Sequence, residues 1–526
     1  MQLKTMGVVP NHKLVQGGVT VALVFFGLKA CRGLLRSWRR HQQLSKIPCP
    51  PSSPILGHLA PLLQNPIHLQ AAQWSQEMGQ VYKLYLLNKV IVVLTDPDTA
   101  KYLKHGPTYM PKSARTYQPF RTLSGANIDS ILTSPENDYW KVVRRGLAPA
   151  FAVNNLKRTF PDAIALSLRT AAYLKHHGDG AIDMDNIAQR ITVDIIGQMV
   201  FGIALGACNY EAHNEPLEIV KNVLEAMQEK GMNPLADYLP FLPRARNFRH
   251  WCNRFGDLGE RIVKNAQASS LPPNSIMSAL FSIKDPRTGE PLSMRQLIAE
   301  VDFLLVAGFE TTAHSIAWTL MCLSTHDSAM KRVEDELESL GLLSTPTKEA
   351  RTIDWSDLGR LKALDAAINE SMRLFPVTST GPFREPTEDL KVGNYVIPKG
   401  TVVMLHSYSI HHSKEAWGPD AEEFKPERWD NKGDDVQGSV GRRPGYQPFS
   451  LGPRDCAGQN LAMLELRVVL ATLIGRFRFR LAKEMGDFQT ATRAARQYIT
   501  LKPMVPDPHG NQSTQPGLLM HCTPRR

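Results

Sequence analysis

The sequence predicts a mostly α-helical fold with minor β-sheet, in one large domain that follows a short leader. Helical patterns dominate residues 191–265 and recur at about 327–340 and 359–374. Segments rich in β-branched residues are few and short, which limits the sheet content. No linker divides the 526 residues into halves, although this length exceeds the usual limit of one simple core.

The predicted strands come in two groups. Val81–Leu87 and Lys89–Leu94 are rich in β-branched residues and predict a hairpin. Short strands are expected again around Lys391–Ile397 and Thr401–Leu405. Between these groups, residues 105–135 are rich in Gly, Pro, Ser and Thr and predict a long irregular segment.

One long apolar helix is predicted in the second half of the chain. Ser293 and Gln296 have the spacing of a capping box, and the apolar pattern that follows extends to about Ser324. Beyond the last predicted strands, residues 506–526 are polar, and we expect a disordered tail there.

Charge is distributed unevenly along the chain. The formal net charge is +11, yet residues 1–76 hold eight Lys or Arg and no Asp or Glu. The remainder is nearly balanced, so the charge gives no reason to expect a nucleic-acid partner. A basic leader instead favours contact with a membrane surface or a targeting apparatus. Hydrophobic residues make up 43% of the chain, which excludes a protein with many membrane spans.

The leader, residues 1–44, is predicted to be a membrane anchor with a basic stretch. Leu14–Leu28 is an uncharged and mostly apolar run, and five Lys or Arg residues follow it at positions 29–40. Because these basic residues follow the apolar run, we predict that the chain beyond the leader lies in the cytosol. A cleaved signal peptide and an organelle transit peptide are the alternatives. The arginines do not suit a cleavage site, and the segment is poor in serine.

The most informative stretch lies at residues 449–458. Gly452 permits a tight turn near a flat cofactor, and Arg454 offers a fixed cation for a carboxylate such as a haem propionate. Cys456 precedes a helical pattern, whose N-terminus favours a thiolate able to bind iron. Gly458 allows close approach to the ring, and Phe449 is expected to exclude water from the sulfur. The alternative is a buried free cysteine beside a turn.

The seven cysteines are scattered along the chain, and no two of them form a Cys-x-x-Cys pair. This spacing disfavours a disulfide framework or a structural zinc site. The stretch around Cys456 resembles the haem-ligand loop of the cytochrome P450 family, Phe-x-x-Gly-x-Arg-x-Cys-x-Gly, at every fixed position. The order of anchor, basic stretch and proline-rich hinge resembles the microsomal eukaryotic type.

The middle of the long helix carries an acid next to an alcohol, Glu310 and Thr311. Gly308 weakens a helix interior, and Thr311 can turn its hydroxyl onto the carbonyl one turn back. Glu310 can relay protons from solvent, and Thr311 can hold the water or oxygen ligand that receives them. The alternative is a kinked helix with polar residues facing its neighbours. The segment resembles the oxygen-binding motif of the family.

Trp140 and Arg144 lie four residues apart on one predicted helix face, and both can donate hydrogen bonds to a propionate. A surface Trp–Arg stack is the alternative. The pair lies where the propionate-binding helix of the family is expected. Neighbouring Lys141 and Arg145 are expected either to face an electron-donor protein or to be solvated.

Glu370 and Arg373 lie three residues apart on a predicted helix, and Arg428 follows in a Phe-x-Pro-Glu-Arg-Trp segment. Taken alone, such a spacing is usually an exposed ion pair. Arg428 could complete a buried network with both residues. The resemblance implies a structural role for the trio, holding the loop that precedes Cys456.

The resemblance covers about residues 45–505 and implies a haem-thiolate monooxygenase with haem b, iron bound by Cys456, O2 and an external electron donor. It implies NADPH-derived electrons from a membrane-bound cytochrome P450 reductase, and the endoplasmic reticulum as location, with a plastid as the alternative. Membrane anchorage and the proline- and aromatic-rich residues 235–243 favour a lipophilic substrate. An electron-independent peroxide isomerase or dehydratase, or a non-catalytic haem sensor, are the other functions considered.

Overall fold

The structure is a computed structural model that describes residues 42–525, apart from 87–88, 104–109, 126, 179, 232–238, 240, 273–274, 431–442 and 510–512. Residues 1–41 of the proposed anchor at residues 1–44, and most of the proline- and aromatic-rich stretch at 235–243, therefore lie outside the described residues. In the part of the chain that the structure covers, no helix has both the length and the apolar composition needed to cross a bilayer.

The described chain is mostly helical with a smaller amount of sheet, as the sequence predicts. The helices are α1 (Leu59–Gln64), α2 (Ile67–Met78), α3 (Ala100–Leu103), α4 (Ala114–Tyr117), α5 (Asp138–Leu147), α6 (Val153–His176), α7 (Met184–Ile196), α8 (Glu215–Gly231), α9 (Pro243–Ala268), α10 (Ile276–Ser282), α11 (Met294–Ser324), α12 (Asp327–Ser339), α13 (Lys362–Leu374), α14 (Ser407–His411), α15 (Lys414–Trp417), α16 (Gln459–Arg476) and α17 (Phe488–Ala494).

The strands form two larger sheets and two hairpin-like pairs. The strands are β1 (Val81–Leu86), β2 (Lys89–Leu94), β3 (Ala181–Asp183), β4 (Phe383–Arg384), β5 (Leu390–Val392), β6 (Tyr395–Ile397), β7 (Val402–Leu405), β8 (Phe477–Leu481), β9 (Arg496–Gln497), β10 (Leu501–Lys502) and β11 (Leu519–Pro524). One sheet has the order β1-β2-β7-β4 and the other β3-β11-β8, while β5 pairs with β6 and β9 with β10.

The first predicted hairpin is confirmed. β1 and β2 pair antiparallel from Val81 opposite Leu94 to Leu86 opposite Lys89. β7 then adds parallel to β2, with Val92 opposite Val403, which joins the hairpin to the predicted strand at Thr401–Leu405, while the predicted strand at Lys391–Ile397 is the separate pair β5 and β6. Their inward side chains are buried because β-branched residues pack well on a pleated surface.

Helix α11 is the central element of the fold, and its predicted start and end are confirmed. The Ser293 hydroxyl accepts a hydrogen bond from Gln296 N–H, and the Gln296 side chain accepts one from Ser293 N–H, which completes the capping box. Thirty-one residues give a helix about 46 Å long. Most of its side chains are buried because α7, α9, α13 and α16 all pack against it.

The prediction of a disordered tail at residues 506–526 is wrong for its last part. β11 pairs antiparallel with both β3 and β8, and Met520 and Cys522 are buried between the sheet and the helical core. The alternation of buried and exposed residues along Leu519–Pro524 is the pattern of a half-buried strand. The segment is too short for polarity alone to distinguish it from a solvated end.

Candidate active site

An apolar cavity of about 440 Å³ lies between α11 and the loop that carries Cys456. We call it the main cavity. Residues 303–312 of α11 line one side, and residues 448–458 line another. Parts of the segments 112–151, 196–200, 372–384, 461–466 and 499–500 complete the lining. The cavity is thus formed by segments that extend from Lys112 to Thr500 in sequence, which only the folded chain brings together.

Gly452 is required by the shape of the cysteine loop. Its φ is +80°, in the left-handed region that favours glycine, and a Cβ atom there would lie 2.6 Å from the Leu103 carbonyl oxygen. A single 3₁₀ turn, Gly452–Arg454, follows this close approach. Cys456 N–H then donates to the Phe449 carbonyl at 2.9 Å, so the two ends of the loop are tied together. This backbone geometry fixes the position of Cys456.

The Cys456 side chain lines the main cavity and has accessible surface facing it. Burial raises the pKa of the thiol, and this outweighs the hydrogen bond from Gly458 N–H and the positive charge of Arg144, which both act to lower it. The expected preference for the thiolate at the helix N-terminus is therefore not met by the polypeptide alone. A bound metal cation favours the deprotonated form.

Gly458 also lines the main cavity. A Cβ atom there would lie 3.9 Å from the Phe151 ring and 4.0 Å from Cys456 Sγ, which is ordinary contact. No close contact with the rest of the described chain therefore requires glycine at this position. The space that a side chain would fill lies beside the sulfur, where a flat cofactor has to come close.

Arg454 and Trp140 meet on the cavity wall. The Arg454 guanidinium lies 4.5 Å from the centroid of the Trp140 ring, within the range of a cation–π contact. It also donates hydrogen bonds to the carbonyls of Ile131 at 3.3 Å, Leu132 at 3.0 Å and Ser134 at 3.0 Å. These contacts hold a buried cation at the edge of the cavity.

Arg144 has a partner that the sequence analysis did not anticipate. Its guanidinium pairs with the carboxylate of Asp455, the residue immediately before Cys456. Burial raises the pKa of Asp455, and Arg144 opposes that rise. Arg144 and Trp140 both line the main cavity, so the structure brings the predicted propionate pair to the Cys456 loop.

Two further basic residues that line the main cavity were not predicted from the sequence. Lys112 lies 4.7 Å from the centroid of the Tyr117 ring, and Arg384 of β4 is buried. Burial lowers the pKa of Lys112 strongly, and the positive charges of Arg454 and Arg384 lower it further. Neither residue belongs to a recognisable motif, because an irregular segment and a two-residue strand place them. Repulsion among these cations favours binding of an anionic group there.

On α11, Thr311 lines the main cavity and donates its hydroxyl to the Ala307 carbonyl at 2.6 Å. The helix is continuous through this region. Gly308 has a different role from the expected loosening. A Cβ atom there would lie 2.4 Å from Ile196 Cδ1, so the glycine allows α7 to pack closely.

Glu310 is buried on α11 and lines the main cavity. Its Oε2 atom has no hydrogen-bond partner among the described residues. Burial raises the pKa of the carboxyl, and the positive charge of Lys502 acts against that rise. A raised pKa favours the protonated carboxyl group, which suits an acid next to Thr311.

The structure brings Glu370, Arg373 and Arg428 together in a buried network. Both Glu370 oxygens accept from the Arg373 guanidinium, at 2.8 and 2.9 Å, and Arg428 Nε donates to Glu370 at 3.2 Å. Arg373 also donates to the carbonyls of His411 and Ala421. The network therefore ties α13 to the segment that leads toward the cysteine loop, as expected of a scaffold.

The residues of the main cavity fit a haem group. Cys456 provides a thiol that can bind iron, and apolar residues of α11 and of residues 376–384 provide walls for a flat ring. Arg144, Arg384 and Arg454 are cations suited to the two propionates, and a bound anion there would favour the protonated form of Lys112. The space beside Gly458 adds to this agreement.

The comparisons with known proteins agree with this geometry. The family model described as Cytochrome P450 matches residues 47–499. Cytochrome P450 3A12 of Canis lupus familiaris is 26% identical, over 83% of this chain and 86% of its own length. Cytochrome P450 81F1 of Arabidopsis thaliana is 26% identical, over 86% and 91%. Cytochrome P450 4F12 of Homo sapiens is 28% identical, over 78% and 79%. The chain belongs to the cytochrome P450 family of haem-binding monooxygenases.

Proposed function

We propose that the protein inserts one atom of O2 into a lipophilic small molecule, with haem b bound through Cys456 and electrons from NADPH. The observation that carries this proposal is the location of Cys456, Glu310 and Thr311 in one apolar cavity. A thiol alone would suit a haem-binding sensor. An acid–alcohol pair in the same cavity is needed only if protons have to be delivered there.

Each residue then has a separate task. When bound, haem supplies oxygen activation, favoured by an axial thiolate. Arg454, Arg144 and Trp140 hold the propionates. Thr311 accepts a hydrogen bond from a water molecule in the main cavity while its own hydroxyl proton is bonded to Ala307. Glu310 holds a proton and transfers it to that water molecule, and the apolar walls limit further access of water.

The lining supports a lipophilic substrate with a polar group. Phe120, Phe303, Leu304 and Val377 give the main cavity its apolar character. Thr378 and Thr380 add hydroxyl groups on one side of the cavity. An otherwise apolar molecule with one hydroxyl or carbonyl group matches this lining.

We infer that the protein works at a membrane, with its body in the cytosol and the endoplasmic reticulum as its location. The apolar run and basic cluster of residues 14–40 support the anchor. A reductase of the NADPH–cytochrome P450 type is the proposed electron donor. Lys141 and Arg145 are exposed on α5, the helix that carries Trp140 and Arg144, and could contact its acidic residues.

The proposal is tested with purified full-length protein, a membrane reductase and NADPH. Substrates are first screened by the shift of the haem absorption band on binding, with a panel of lipids and terpenoids. Steady NADPH use with an oxygenated product supports the monooxygenase. A product formed from a peroxide without NADPH would identify the isomerase or dehydratase. If the protein binds haem but shows neither activity with any compound that shifts the band, it is the non-catalytic haem sensor.

A further inference from the structure

A second cavity of about 270 Å³ lies behind Glu310, on the side away from the main cavity. We call it the polar cavity. Glu310 and Ile499 line both cavities and so form the wall between them. The polar cavity extends to the protein surface at Glu225 and Pro516, which are exposed. Its charged lining consists of Asp183, Asp185, Lys221, Glu225, Glu310 and Lys502.

Three buried side chains form a row from the polar cavity to Glu310. Asp185 Oδ1 of α7 lies 3.4 Å from His314 Nε2 of α11. His314 Nδ1 lies 2.9 Å from the Thr500 hydroxyl, next to β10. That hydroxyl lies within hydrogen-bonding reach of the Glu310 carboxyl. The four groups come from three separate segments of the chain, and all of them are buried.

The row contains polar atoms that lack partners. Asp185 Oδ1, His314 Nε2 and Glu310 Oε2 are buried without a hydrogen bond to any described residue. Asp185 Oδ2, by contrast, accepts a hydrogen bond from Gln189 at 2.6 Å. Because buried polar atoms are nearly always satisfied, the unpaired atoms of Asp185 and Glu310, which line the polar cavity, indicate bound water there. The cavity is large enough for several water molecules.

The protonation states of the row agree with transport of protons. Burial raises the pKa of Asp185 to about 8, and the negative charges of Asp183 and Glu310 add to this, while Lys221 and Lys502 oppose it. Asp185 therefore carries a proton at neutral pH. Burial lowers the pKa of His314 strongly, with help from the same two lysines, so the imidazole is neutral and has one nitrogen free to accept.

We propose that Asp185, His314 and Thr500 form a proton path from the polar cavity to Glu310. The inference rests on the proposed function, because Glu310 needs a supply of protons only if it delivers them. It goes further by naming the entrance of the path and the residues along it. Exposed Glu225 and half-buried Lys221 mark the solvent end, and Glu310 marks the inner end.

The transfer moves one proton and no electrons. Once Asp185 Oδ1 and His314 Nε2, which lie 3.4 Å apart, align as donor and acceptor, the Asp185 O–H bond breaks as His314 Nε2–H forms. The His314 Nδ1–H bond then breaks as its proton passes to the Thr500 oxygen. The original hydroxyl proton of Thr500 moves to the Glu310 carboxylate. Water in the polar cavity then protonates Asp185 again, and a further exchange with solvent restores the starting tautomer of the imidazole.

The first test uses the Thr500→Val and His314→Gln variants of the holoenzyme with reductase and substrate. We expect the rate of product formation to fall by roughly tenfold, less than the ~10²–10⁴ of a directly acting group, because cavity water still reaches Glu310. Peroxide should account for the lost product. The carbon monoxide spectrum should stay unchanged in both variants, and the substrate-induced shift should stay unchanged in His314→Gln, because Thr500 also lines the main cavity. A general structural defect would change both readouts in both variants.

Matched controls separate the path from the loss of any buried polar group. Thr319→Val removes a buried hydroxyl from α11 that donates to Ser315 at 2.7 Å and lines neither cavity. His68→Gln changes a buried histidine in another part of the fold. Both controls should retain wild-type coupling. Wild-type coupling in Thr500→Val and His314→Gln would overturn the proposal.

The second test does not depend on turnover. Infrared difference spectra of the purified full chain at neutral pH should contain a protonated carboxyl band that is absent in Asp185→Asn and that shifts promptly in D2O. An Asp185 that is ionised at neutral pH, or closed to exchange, would refute the path. If the wild-type protein forms no oxygenated product, the proposed function fails, and this band alone then decides the path.

Discussion

The Thr311 hydroxyl donates to the Ala307 carbonyl at 2.6 Å while the Thr311 side chain lines the main cavity. The hydroxyl proton of Thr311 is therefore used in a hydrogen bond within the helix. The lone pairs of the hydroxyl oxygen remain able to accept a hydrogen bond from a ligand in the cavity. This arrangement suits a residue that positions a water molecule, because the acceptor is fixed by a bond to the backbone.

We expect Thr311→Ala to uncouple the reaction. NADPH use should continue, while product falls about tenfold or more and peroxide rises, because no hydroxyl holds the water that receives protons from Glu310. Product and peroxide are measured per NADPH consumed. Thr319→Ala is the matched control, since Thr319 makes the same kind of bond to the helix backbone. Unchanged coupling in Thr311→Ala would refute the role in proton delivery.

Cys456→Ser should abolish the thiolate-type absorption of the reduced protein under carbon monoxide, along with monooxygenase activity. Serine is a poor iron ligand at neutral pH because its hydroxyl stays protonated. Cys49→Ser, which changes a half-buried cysteine far away in sequence, should leave both properties intact. A thiolate-type spectrum in Cys456→Ser would assign the axial ligand to another residue.

Glu370→Gln should destabilise the protein by about 3 kcal/mol or more, because buried Arg373 and half-buried Arg428 lose their common carboxylate. The free energy of unfolding is measured in urea, together with haem retention. Lys331→Ala, which removes an exposed ion pair with Asp335, should change stability little. A Glu370→Gln protein with wild-type stability would contradict a scaffold role for the network.

Stability should fall as the solution is made acidic. Burial lowers the pKa of His68 to about 3, against about 6.5 in the unfolded chain. Between these values the unfolded state binds the extra proton, so this contribution is complete above pH 6.5 and is lost as the pH falls towards 3. Similar shifts to about 3 affect His406 and His411.

The His68→Leu variant lacks one of the imidazole groups that take up a proton when the protein unfolds in acid. Relative to wild type, the variant should gain up to about 1.4 kcal/mol per pH unit below pH 6.5. Urea unfolding at several values between about pH 7 and 5 measures the slope. His176→Leu, at an exposed site on α6, should leave the slope unchanged. Parallel pH profiles for His68→Leu and wild type would show that His68 is protonated in the folded state.

Truncation of a side chain in β11 should reveal whether the C-terminal segment supports the fold. Met520→Ala should cost about 2–5 kcal/mol, because the side chain is fully buried in the core. Thr523→Ala, on the exposed side of the same strand, should cost little. Urea unfolding provides both values. Equal stability of Met520→Ala and wild type would mean that β11 is not docked in solution.

The sequence alone determined the class of fold, the first hairpin, the limits of α11 and the family. These features depend on local patterns, such as the capping box at Ser293 or the spacing around Cys456. Such patterns can be recognised in the sequence without knowledge of distant contacts. The strand β11 was not recognised, because its six residues become a strand only beside β3 and β8.

The tertiary structure decided what surrounds each motif. Arg144 pairs with Asp455, which lies far from it in sequence. Gly308 is required because Ile196 of α7 packs closely against it. The pairing of Asp185 with His314 arose in the same way. Charge and burial of a side chain depend on all its neighbours in space, so the sequence determined which chemical groups are present, and only packing decided their partners and protonation.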